Sequence, residues 1–344
     1  MAGVQGQPRR GPGVIPGARA VLALLPLLIL LQPCAAAEPE ELTLLDEHVI
    51  DGVPAGNLSG LERCGDSLWT VSDREDDRLY RLIPQAGGEP WQAEVETFVA
   101  PPAPDVGLSA GLRSSAWVLG KMRGGELDFE GLACDTAGNR YLVSESQAAV
   151  LQIPLAAPPS WLPLPPALVR QARASGMLQQ YNSLFEGIVI NPEGDRLWLA
   201  AEREKRGLLA LRKRKSGAWV CSDGCVLMSE GGREDTPKGD SMPRDFSGLS
   251  LFDGKLYTLE RATYRICRRS LKHGDAERCW SFAREGLTEA RDYGKTWGMA
   301  EGLVVDANGA WIMLDNGKHA RGDGEDRPIL WRFAAPARGW GANP

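Results

Sequence analysis

The chain has 344 residues, with 39 lysines and arginines against 45 aspartates and glutamates, and a formal net charge of −6. This acidic balance argues against nucleic-acid binding, because the phosphate backbone is held by lysine and arginine side chains. Apolar residues make up 43% of the chain, which excludes wholesale disorder, and 40 glycines with 24 prolines argue against a helical bundle.

Residues 1–37 have the order of parts of a secretory signal peptide. Arginines precede an apolar run from Ala20 to Leu31, and an Ala-x-Ala site ends at Ala37. As a helix the run would rise about 18 Å, which is too short for a bilayer core of about 30 Å. We therefore expect residues 38–344 to form the mature protein, in the periplasm or secreted, with no stable membrane span after cleavage.

Six cysteines follow residue 37, and an even number favours disulfides in an exported protein. Two pairs are close enough in sequence to bridge a turn or hairpin: Cys221 with Cys225, and Cys267 with Cys279. Cys64 and Cys134 would then pair by elimination, although six cysteines allow about fifteen connectivities. A metal site is the alternative, but the chain has no Cys-x-x-Cys motif and its 3 histidines are isolated from the cysteines.

One template recurs five times in the chain. It consists of a short apolar strand, a turn rich in glycine, aspartate or asparagine, and a second strand that ends in a carboxylate. The five copies are residues 59–73, 130–145, 186–202, 247–260 and 301–315. Each copy has the signature of a β-hairpin. The copies begin 54 to 71 residues apart, and this period indicates a propeller.

The predicted fold is therefore all-β, a single β-propeller of five or six four-stranded blades. A sixth blade would be a degenerate one in the longest interval. The N-terminal strand Leu42 to Ile50 and the C-terminal strand Ile329 to Phe333 are expected to share one blade and close the ring, which removes free sheet edges. A β-sandwich is the rival fold, but it does not explain five matching repeats. The proline-rich segment 154–180 is predicted to be an insertion, either a lid or a surface loop.

The template also predicts where its acidic residues gather. The first residue opens one strand and the last closes its antiparallel partner, so both lie at the same edge of the sheet. In a propeller these edges meet at one mouth of the central channel. The inner residues there would be Glu130, Glu186 and Glu301, beside a second ring of Asp73, Glu145, Glu202, Glu260 and Asp315. Crowded carboxylates raise one another's pKa or recruit a cation such as Ca²⁺, unless they pair with adjacent arginines.

At these repeats the chain resembles the phytase-like propeller family described as "esterase-like activity of phytase". The matching motifs are Asp128-Phe-Glu-Gly-Leu132, Phe185-Glu-Gly-Ile188, Asp245-Phe-Ser-Gly-Leu249, Leu256-Tyr-Thr-Leu-Glu-Arg261, Ala300-Glu-Gly-Leu303 and Leu314-Asp-Asn316. The resemblance extends from Leu58 to Phe333 and implies an exported propeller of bacterial type that hydrolyses an ester or phosphoester. Related alkaline phytases use calcium.

The Glu-Gly strand starts are also similar to those of gluconolactonase-type propellers, whose metal is held by acids at the channel mouth. Ser59 and Ser247 occupy two of the five corresponding positions here, so a full acidic ring is not available.

The sequence thus predicts a metal-assisted hydrolase that acts as a monomer on a small anionic or ester substrate. Its metal ligands, with Ca²⁺ as the candidate ion, would be Glu130, Glu186 and Glu301. Its catalytic residues would be Glu186, Glu202, Arg203 and Arg261, with the two arginines gripping an anionic group. Further substrate contacts would come from Asp73, Arg74, Glu145, Glu260, Asp315 and Asn316. The alternative is a non-catalytic periplasmic propeller that binds a ligand or acts as a scaffold.

Overall fold

The computed structural model describes residues 1–8, 11, 13, 38–54, 57–221 and 223–342. The chain divides into two units, Met1–Glu38 and Pro39–Pro344. The described residues of the first unit contain no helix or strand. The predicted apolar run and cleavage site, from Ala20 to Ala37, lie outside the described residues, so the signal peptide stays a prediction.

The second unit consists mainly of β-strands, and all five predicted hairpins are present. It begins with β1 (Glu40–Glu41) and β2 (Leu44–Asp51). The first group of strands is β3 (Leu58–Cys64), β4 (Ser67–Ser72), β5 (Arg78–Ile83) and β6 (Trp91–Thr97). Helix α1 (Ala110–Arg123) follows. The second group is β7 (Phe129–Cys134), β8 (Arg140–Ser144), β9 (Ala149–Ile153) and β10 (Ser160–Trp161).

Helix α2 (Ala167–Ala174) leads into the third group of strands. These are β11 (Phe185–Ile190), β12 (Arg196–Ala201), β13 (Lys205–Lys213), β14 (Trp219–Val220) and β15 (Val226–Gly231). A separate hairpin comprises β16 (Arg233–Asp235) and β17 (Ser241–Pro243). The fourth group is β18 (Gly248–Phe252), β19 (Lys255–Glu260), β20 (Arg265–Arg269) and β21 (Ala276–Ser281), with a 3₁₀ turn at Arg261–Thr263. The last elements are α3 (Ala283–Gly286), β22 (Ala300–Asp306), β23 (Gly309–Leu314) and β24 (Ile329–Ala334).

The N-terminal strand β2 and the C-terminal strand β24 are hydrogen-bonded neighbours. They run antiparallel, with Val49 opposite Ile329. This pairing is the one that the sequence predicts. Strand β2 also makes a short parallel pairing with β6 at Ile50 and Asp51, so the first and last groups of strands form one eight-stranded sheet.

The first strands of the five hairpins pack against one another in succession. Strand β3 contacts β7, β7 contacts β11, β11 contacts β18, β18 contacts β22, and β22 contacts β3. The arrangement is propeller-like, with these inner strands around one axis. The strands approach closely at glycine: a Cβ atom on Gly131 would lie 2.8 Å from the backbone oxygen of Glu186. The space on the axis is about 10 Å³, which is room for about one water molecule.

The hydrophobic core lies between the faces of neighbouring sheets. The largest cluster joins strands β8 and β9 to β11 and β12 and includes Val143, Val150 and Ile188. Helix α2 buries Leu168 and Val169 in the same cluster, so the 154–180 insertion is packed onto the sheets rather than looped away from them. None of the described helices has the length and apolarity needed to cross a membrane.

All three predicted disulfides are present: Cys64–Cys134, Cys221–Cys225 and Cys267–Cys279. The first joins the ends of the neighbouring inner strands β3 and β7. The third joins paired residues of β20 and β21. Each restricts the unfolded chain, and native disulfides typically contribute about 2–4 kcal/mol to stability.

We expect Gly131→Ala to lower the free energy of unfolding by about 1–3 kcal/mol, because overpacking between rigid neighbours forces strain. The added methyl group would lie 2.8 Å from the Glu186 backbone oxygen and 2.8 Å from Val143 Cγ1. Urea unfolding measures the difference. The matched control is Gly111→Ala, on the exposed side of α1, where an added Cβ meets nothing within 4 Å and alanine favours the helix. Equal stability of Gly131→Ala and the wild type would contradict close packing of the inner strands.

Candidate functional site

Three glutamates turn toward the axis because each is the extra residue of a β-bulge. The register of the β7–β8 pair shifts between Phe129 and Gly131 and leaves Glu130 unpaired. The same shift leaves Glu186 unpaired in β11 and Glu301 unpaired in β22. A bulge bends its strand and re-aims a side chain, which is why bulges are common beside active sites. The repeated bulge therefore brings three carboxylates to one end of the axis.

These glutamates line a polar cavity of about 150 Å³. The other residues of its wall are Ser59, Asp73, Arg74, Asn182, Glu202, Arg261 and Asp315. Six carboxyl groups and two guanidinium groups thus surround a volume that holds only a few water molecules. The excess of acidic groups favours a cationic occupant.

Three carboxylates at this end are close enough to share one cation. One oxygen atom each of Glu130, Glu145 and Glu186 lies within 4.8 Å of the other two. Two oxygens that each lie about 2.3–2.6 Å from a Ca²⁺ ion are at most about 5 Å apart. The spacing and the all-oxygen donor set therefore fit a hard divalent cation.

A second group of carboxylates shares Glu130. It consists of Asp73, Asp128 and Glu130, whose oxygens lie within the same 4.8 Å of one another. Glu301, which the sequence predicts as a metal ligand, is in neither group. Its carboxylate is held instead by the Arg261 guanidinium, so the structure groups Glu130 and Glu186, but not Glu301, among the predicted ligands.

The carboxylates of Glu130 and Glu186 have no hydrogen bond or ion pair to any residue that the structure describes. Burial and the neighbouring carboxylates raise the pKa of both groups well above the ordinary range. Burial and Asp128 raise the pKa of Glu145 as well, although its Oε1 accepts a hydrogen bond from the Leu184 N–H at 2.9 Å. The raised pKa values favour the protonated forms of these acids, and a bound cation would displace their protons.

Arg261 neutralises three further carboxylates. Its Nη1 and Nη2 donate to Glu301 and Glu202, and its Nε lies 3.2 Å from Asp245 Oδ2. Burial raises the pKa of Glu301 to about 8 and that of Asp245 to about 7, despite the attraction of Arg261. Burial opposes the charge of Arg261, yet the three acids keep its pKa above the usual value. All its nitrogens face acids, so the geometry favours a fixed countercharge over the predicted grip on an anionic substrate.

Glu202 is completely buried at the wall of the cavity. Its Oε1 accepts from Arg261 and lies 2.7 Å from Nη1 of Arg203, which also donates through Nη2 to the backbone oxygen of Asn182 at 2.7 Å. Two buried oxygens, Oε2 of Glu202 and Oε2 of Glu301, have no hydrogen-bond donor among the described residues. They remain available to accept a proton or a hydrogen bond from a ligand.

The predicted substrate-binding residues are only partly brought together. Asp73 and Arg74 line the cavity as an ion pair, with Arg74 Nε 3.2 Å from Asp73 Oδ1. Asp315 also lines it, and burial raises the pKa of this carboxyl group. Asn316 is buried beside the cavity without lining it, and its Nδ2 donates to the backbone oxygen of Asp326.

Glu260 is not part of the cavity, contrary to the sequence-based prediction. Its carboxylate lies 3.2 Å from Arg206, 2.9 Å from Arg265 and 2.8 Å from Arg269. Burial alone would raise the pKa of Glu260, but the three arginines lower it to about 2. Glu260 is therefore a permanently charged structural anion that is already fully paired.

Asp128 and Asp245 belong to the site and were not predicted. Asp128 contributes to the second carboxylate group, and Asp245 contacts Arg261. Each directly precedes a fully buried phenylalanine, Phe129 or Phe246, at the entrance to an inner strand. The repeated Asp-Phe pair before a Glu-Gly or Ser-Gly strand start is the sequence signal that could have identified them.

Part of this site lies in a segment that is similar to a known family. The family model described as "Phytase-like: Esterase-like activity of phytase" matches residues 53–219. Over this segment the chain is similar to the phytase-like family. The segment contains Glu130, Glu145, Glu186 and Glu202. Among the curated proteins, no match is found.

Solved structures match the chain at low similarity. Glutaminyl cyclase from Myxococcus xanthus is 11% identical, with a TM-score of 0.48 over 86% of this chain and 97% of that chain. PQQ-bound aldose sugar dehydrogenase from Streptomyces coelicolor is 13% identical, with a TM-score of 0.43 over 85% and 98%. Inactive virginiamycin B lyase from Staphylococcus aureus is 13% identical, with a TM-score of 0.38 over 81% and 67%. At these values the chemistry of those proteins carries no argument here.

We expect Arg261→Met to lower the free energy of unfolding by about 3–5 kcal/mol at about pH 9, where Glu301 and Asp245 are ionised, because it leaves buried carboxylates without their countercharge. The loss should be smaller at about pH 5, since Glu301 and Asp245 can then take up protons. Urea unfolding at the two pH values, in EDTA, measures both effects. Arg81→Met is the control: its pair with Glu94 is exposed on both sides, and such pairs contribute about 0–1 kcal/mol. Similar losses in both variants would contradict the role assigned to Arg261.

Proposed function

We propose that the chain is an exported β-propeller hydrolase that cleaves an ester or phosphoester at the acidic cavity, assisted by a divalent cation. The observation that carries this proposal is the triad Glu130, Glu145 and Glu186, whose oxygens lie within 4.8 Å of one another. Two of these three acids have no protein partner among the described residues. Buried carboxylates in this state are more often found where a cation or a proton is exchanged than in a purely structural core.

The proposed propeller has five blades. Support comes from the five inner strands, each of which contacts the next, with the fifth contacting the first. Strand β2 beside β24 would complete the last blade with β22 and β23 and so close the ring. We propose no sixth blade, because the long interval between the first two hairpins is occupied by α1 and by strands that belong to the first blade.

The proposed cation ligands are Glu130, Glu145 and Glu186, with Asp73 and Asp128 as a second set around the shared Glu130. Carboxylate oxygens favour Ca²⁺ or Mg²⁺ over softer metals. When bound, such a cation polarises an ester or phosphoryl oxygen and lowers the pKa of water. Ca²⁺ remains the candidate.

Side chains of the protein supply the proposed general base and the contacts of an anionic group. Glu202 is the proposed general base, because the residue lines the cavity and its Oε2 has no donor among the described residues, while Arg203 and Arg261 fix the other oxygen. Arg74 and Arg203 are the proposed contacts of an anionic group, since their side chains are 27% and 31% exposed. Arg261 orients Glu202 and Glu301 without contacting substrate.

Export is supported by the three disulfides, which persist in oxidising compartments. We propose that residues 1–37 are the signal peptide, that residues 38–344 are the mature domain, and that the protein acts in the periplasm or is secreted.

Glu186→Gln should abolish most of any calcium-dependent hydrolysis and blunt calcium stabilisation, because it removes one ligand charge at constant size. A cation that binds only the native state contributes about 2.7 kcal/mol at a hundredfold excess over Kd, so millimolar calcium should raise the wild-type Tm by several degrees. The measurements are melting curves and turnover of phosphoester, carboxylester and lactone panels, with calcium or EDTA.

The matched control is Glu193→Gln, in the turn of the same hairpin. Glu193 accepts a hydrogen bond from Asn191 at 2.6 Å and lines a different cavity. The Glu193→Gln variant should show the same calcium-dependent rise of Tm and the same turnover as the wild type. An equal calcium-induced rise of Tm in all three proteins, or no rise in any of them, would exclude the cation site. Calcium binding without turnover on any panel would favour the non-catalytic binding protein instead.

Calcium stabilisation should grow between about pH 5 and about pH 8. The folded pKa values of Glu301 and Asp245 are raised to about 8 and about 7, so these groups contribute stability at low pH that is lost as pH rises. The metal-free protein should therefore become less stable across this interval. The pKa values of the proposed ligands Glu130, Glu145 and Glu186 are also raised, so these groups lose protons as pH rises and bind calcium more tightly. Melting curves with and without EDTA test this, and a calcium shift that is larger at pH 5 than at pH 8 would contradict it.

A further inference from the structure

The 154–180 insertion encloses a second cavity, separate from the acidic one, of about 700 Å³. Its walls come from three parts of the chain: residues 104–107, Ala148 and Ala149 at the start of β9, and residues 162–173. Small-molecule sites have volumes of about 300–1,000 Å³ and are lined mainly by apolar side chains. This cavity has both properties.

The apolar wall is well packed. Leu162, Leu168 and Val169 are buried at 7%, 1% and 4% exposure, and each presents part of its surface to the cavity. Prolines at positions 163, 165 and 166 form the adjoining edge, where their fixed φ angles limit collapse of the backbone. The wall is thus preorganised, which reduces the entropy lost when a ligand binds.

Among the charged side chains at the rim of the cavity, the Arg170 guanidinium is available to contact a ligand. Asp105 is already engaged, because Arg113 Nη1 lies 2.7 Å from its Oδ2 and the Gly107 N–H donates to its Oδ1 at 2.9 Å. Arg173 donates to the backbone oxygen of Leu178. Arg170 lines the cavity and is exposed, and it has no hydrogen bond or ion pair to any described residue.

We infer that this cavity binds an amphipathic organic anion, with its apolar body against Leu162, Leu168 and Val169 and its carboxylate or sulfonate on Arg170. A guanidinium forms paired, charge-assisted hydrogen bonds with a carboxylate, and these are about twice as strong as neutral ones. The negative group of Asp105 does not oppose this ligand, because Arg113 neutralises it. A neutral apolar molecule would contact the same apolar wall but would lack the contact with Arg170.

The wall of the cavity is linked to the acidic site by hydrogen bonds and packing. The N–H of Ala148, in its wall, donates to the backbone oxygen of Glu145 at 3.0 Å. The Glu145 carboxylate accepts from Leu184, which belongs to the same apolar cluster as Leu168 and Val169. The inference does not depend on the proposed hydrolysis, since it concerns binding alone.

The test measures displacement of the fluorescent aryl sulfonate 1-anilinonaphthalene-8-sulfonate from the whole protein in EDTA. Decanoate should displace the probe from a saturable site, and decan-1-ol should do so more weakly. Arg170→Gln should weaken decanoate binding about tenfold and leave decan-1-ol unchanged, as expected for the loss of one charged hydrogen-bonding partner. The control is Arg214→Gln, an exposed arginine in the turn between β13 and β14, which should match the wild type.

A second variant tests the apolar wall. Leu164 is partly exposed at the cavity and packs at the edge of the core cluster, so Leu164→Trp should fill part of the cavity volume and weaken binding of both ligands. Three results would each overturn the inference. The first is unchanged binding of both ligands in Leu164→Trp, and the second is an equal loss of decanoate binding in Arg170→Gln and Arg214→Gln. The third is no saturable displacement of the probe from the wild type. None of these results bears on calcium binding, so the two proposals fail separately.

Discussion

The structure is organised around the repulsion between carboxylates buried at one end of the axis. Glu130, Glu145 and Glu186 are crowded within 4.8 Å in a region that excludes most water. Like charges at this separation cannot all ionise without a compensating cation. One set of acids is compensated by Arg261, and the triad lacks a protein cation at hydrogen-bonding distance among the described residues. The contrast between the two sets separates the structural part of the site from the part that remains free for a cation.

The fold creates this crowding through a single repeated device. Each inner glutamate is displaced from the ladder by a bulge, and the glycine that follows it lets the next inner strand approach. The three glutamates come from three different sheets, so the site exists only when all of the sheets have assembled. Burial of these charges lowers the stability of the fold, and packing elsewhere in the core offsets this loss. Because protons or a cation would neutralise the charges, stability depends on pH and on metal concentration.

Much of the fold could be predicted from the sequence, because hairpins, turn glycines and cysteine spacing are local features. The five hairpins and the disulfides Cys221–Cys225 and Cys267–Cys279 follow from such patterns. The β2–β24 neighbours follow from closure of the ring, and Cys64–Cys134 follows by elimination. The site was predicted only in part. Strand position places Glu186 and Glu301 equally at the mouth, yet Arg261, which sits in a 3₁₀ turn after β19, contacts Glu301 and not Glu186.

Side-chain directions that no repeat pattern specifies place Glu145, rather than Glu301, close to Glu130 and Glu186. They also enclose Glu260 between three arginines. Asp128 and Asp245 were missed for a different reason. They lie just outside the template, in the segments that lead into the inner strands, so an alignment of hairpins alone passes over them. A local pattern can therefore place an acid at a strand end, but the partner of that acid is decided by the packing of several sheets.

The most direct measurement is calorimetric titration of calcium into metal-free protein at about pH 7, in two buffers with different heats of ionisation. The difference between the buffers counts the protons released as calcium binds. Because the pKa values of Glu130, Glu145 and Glu186 are raised, we expect net proton release in the wild type and less release, with weaker binding, in Glu186→Gln. No binding, or binding to the wild type with no proton release, would contradict a cation site at the acidic cavity.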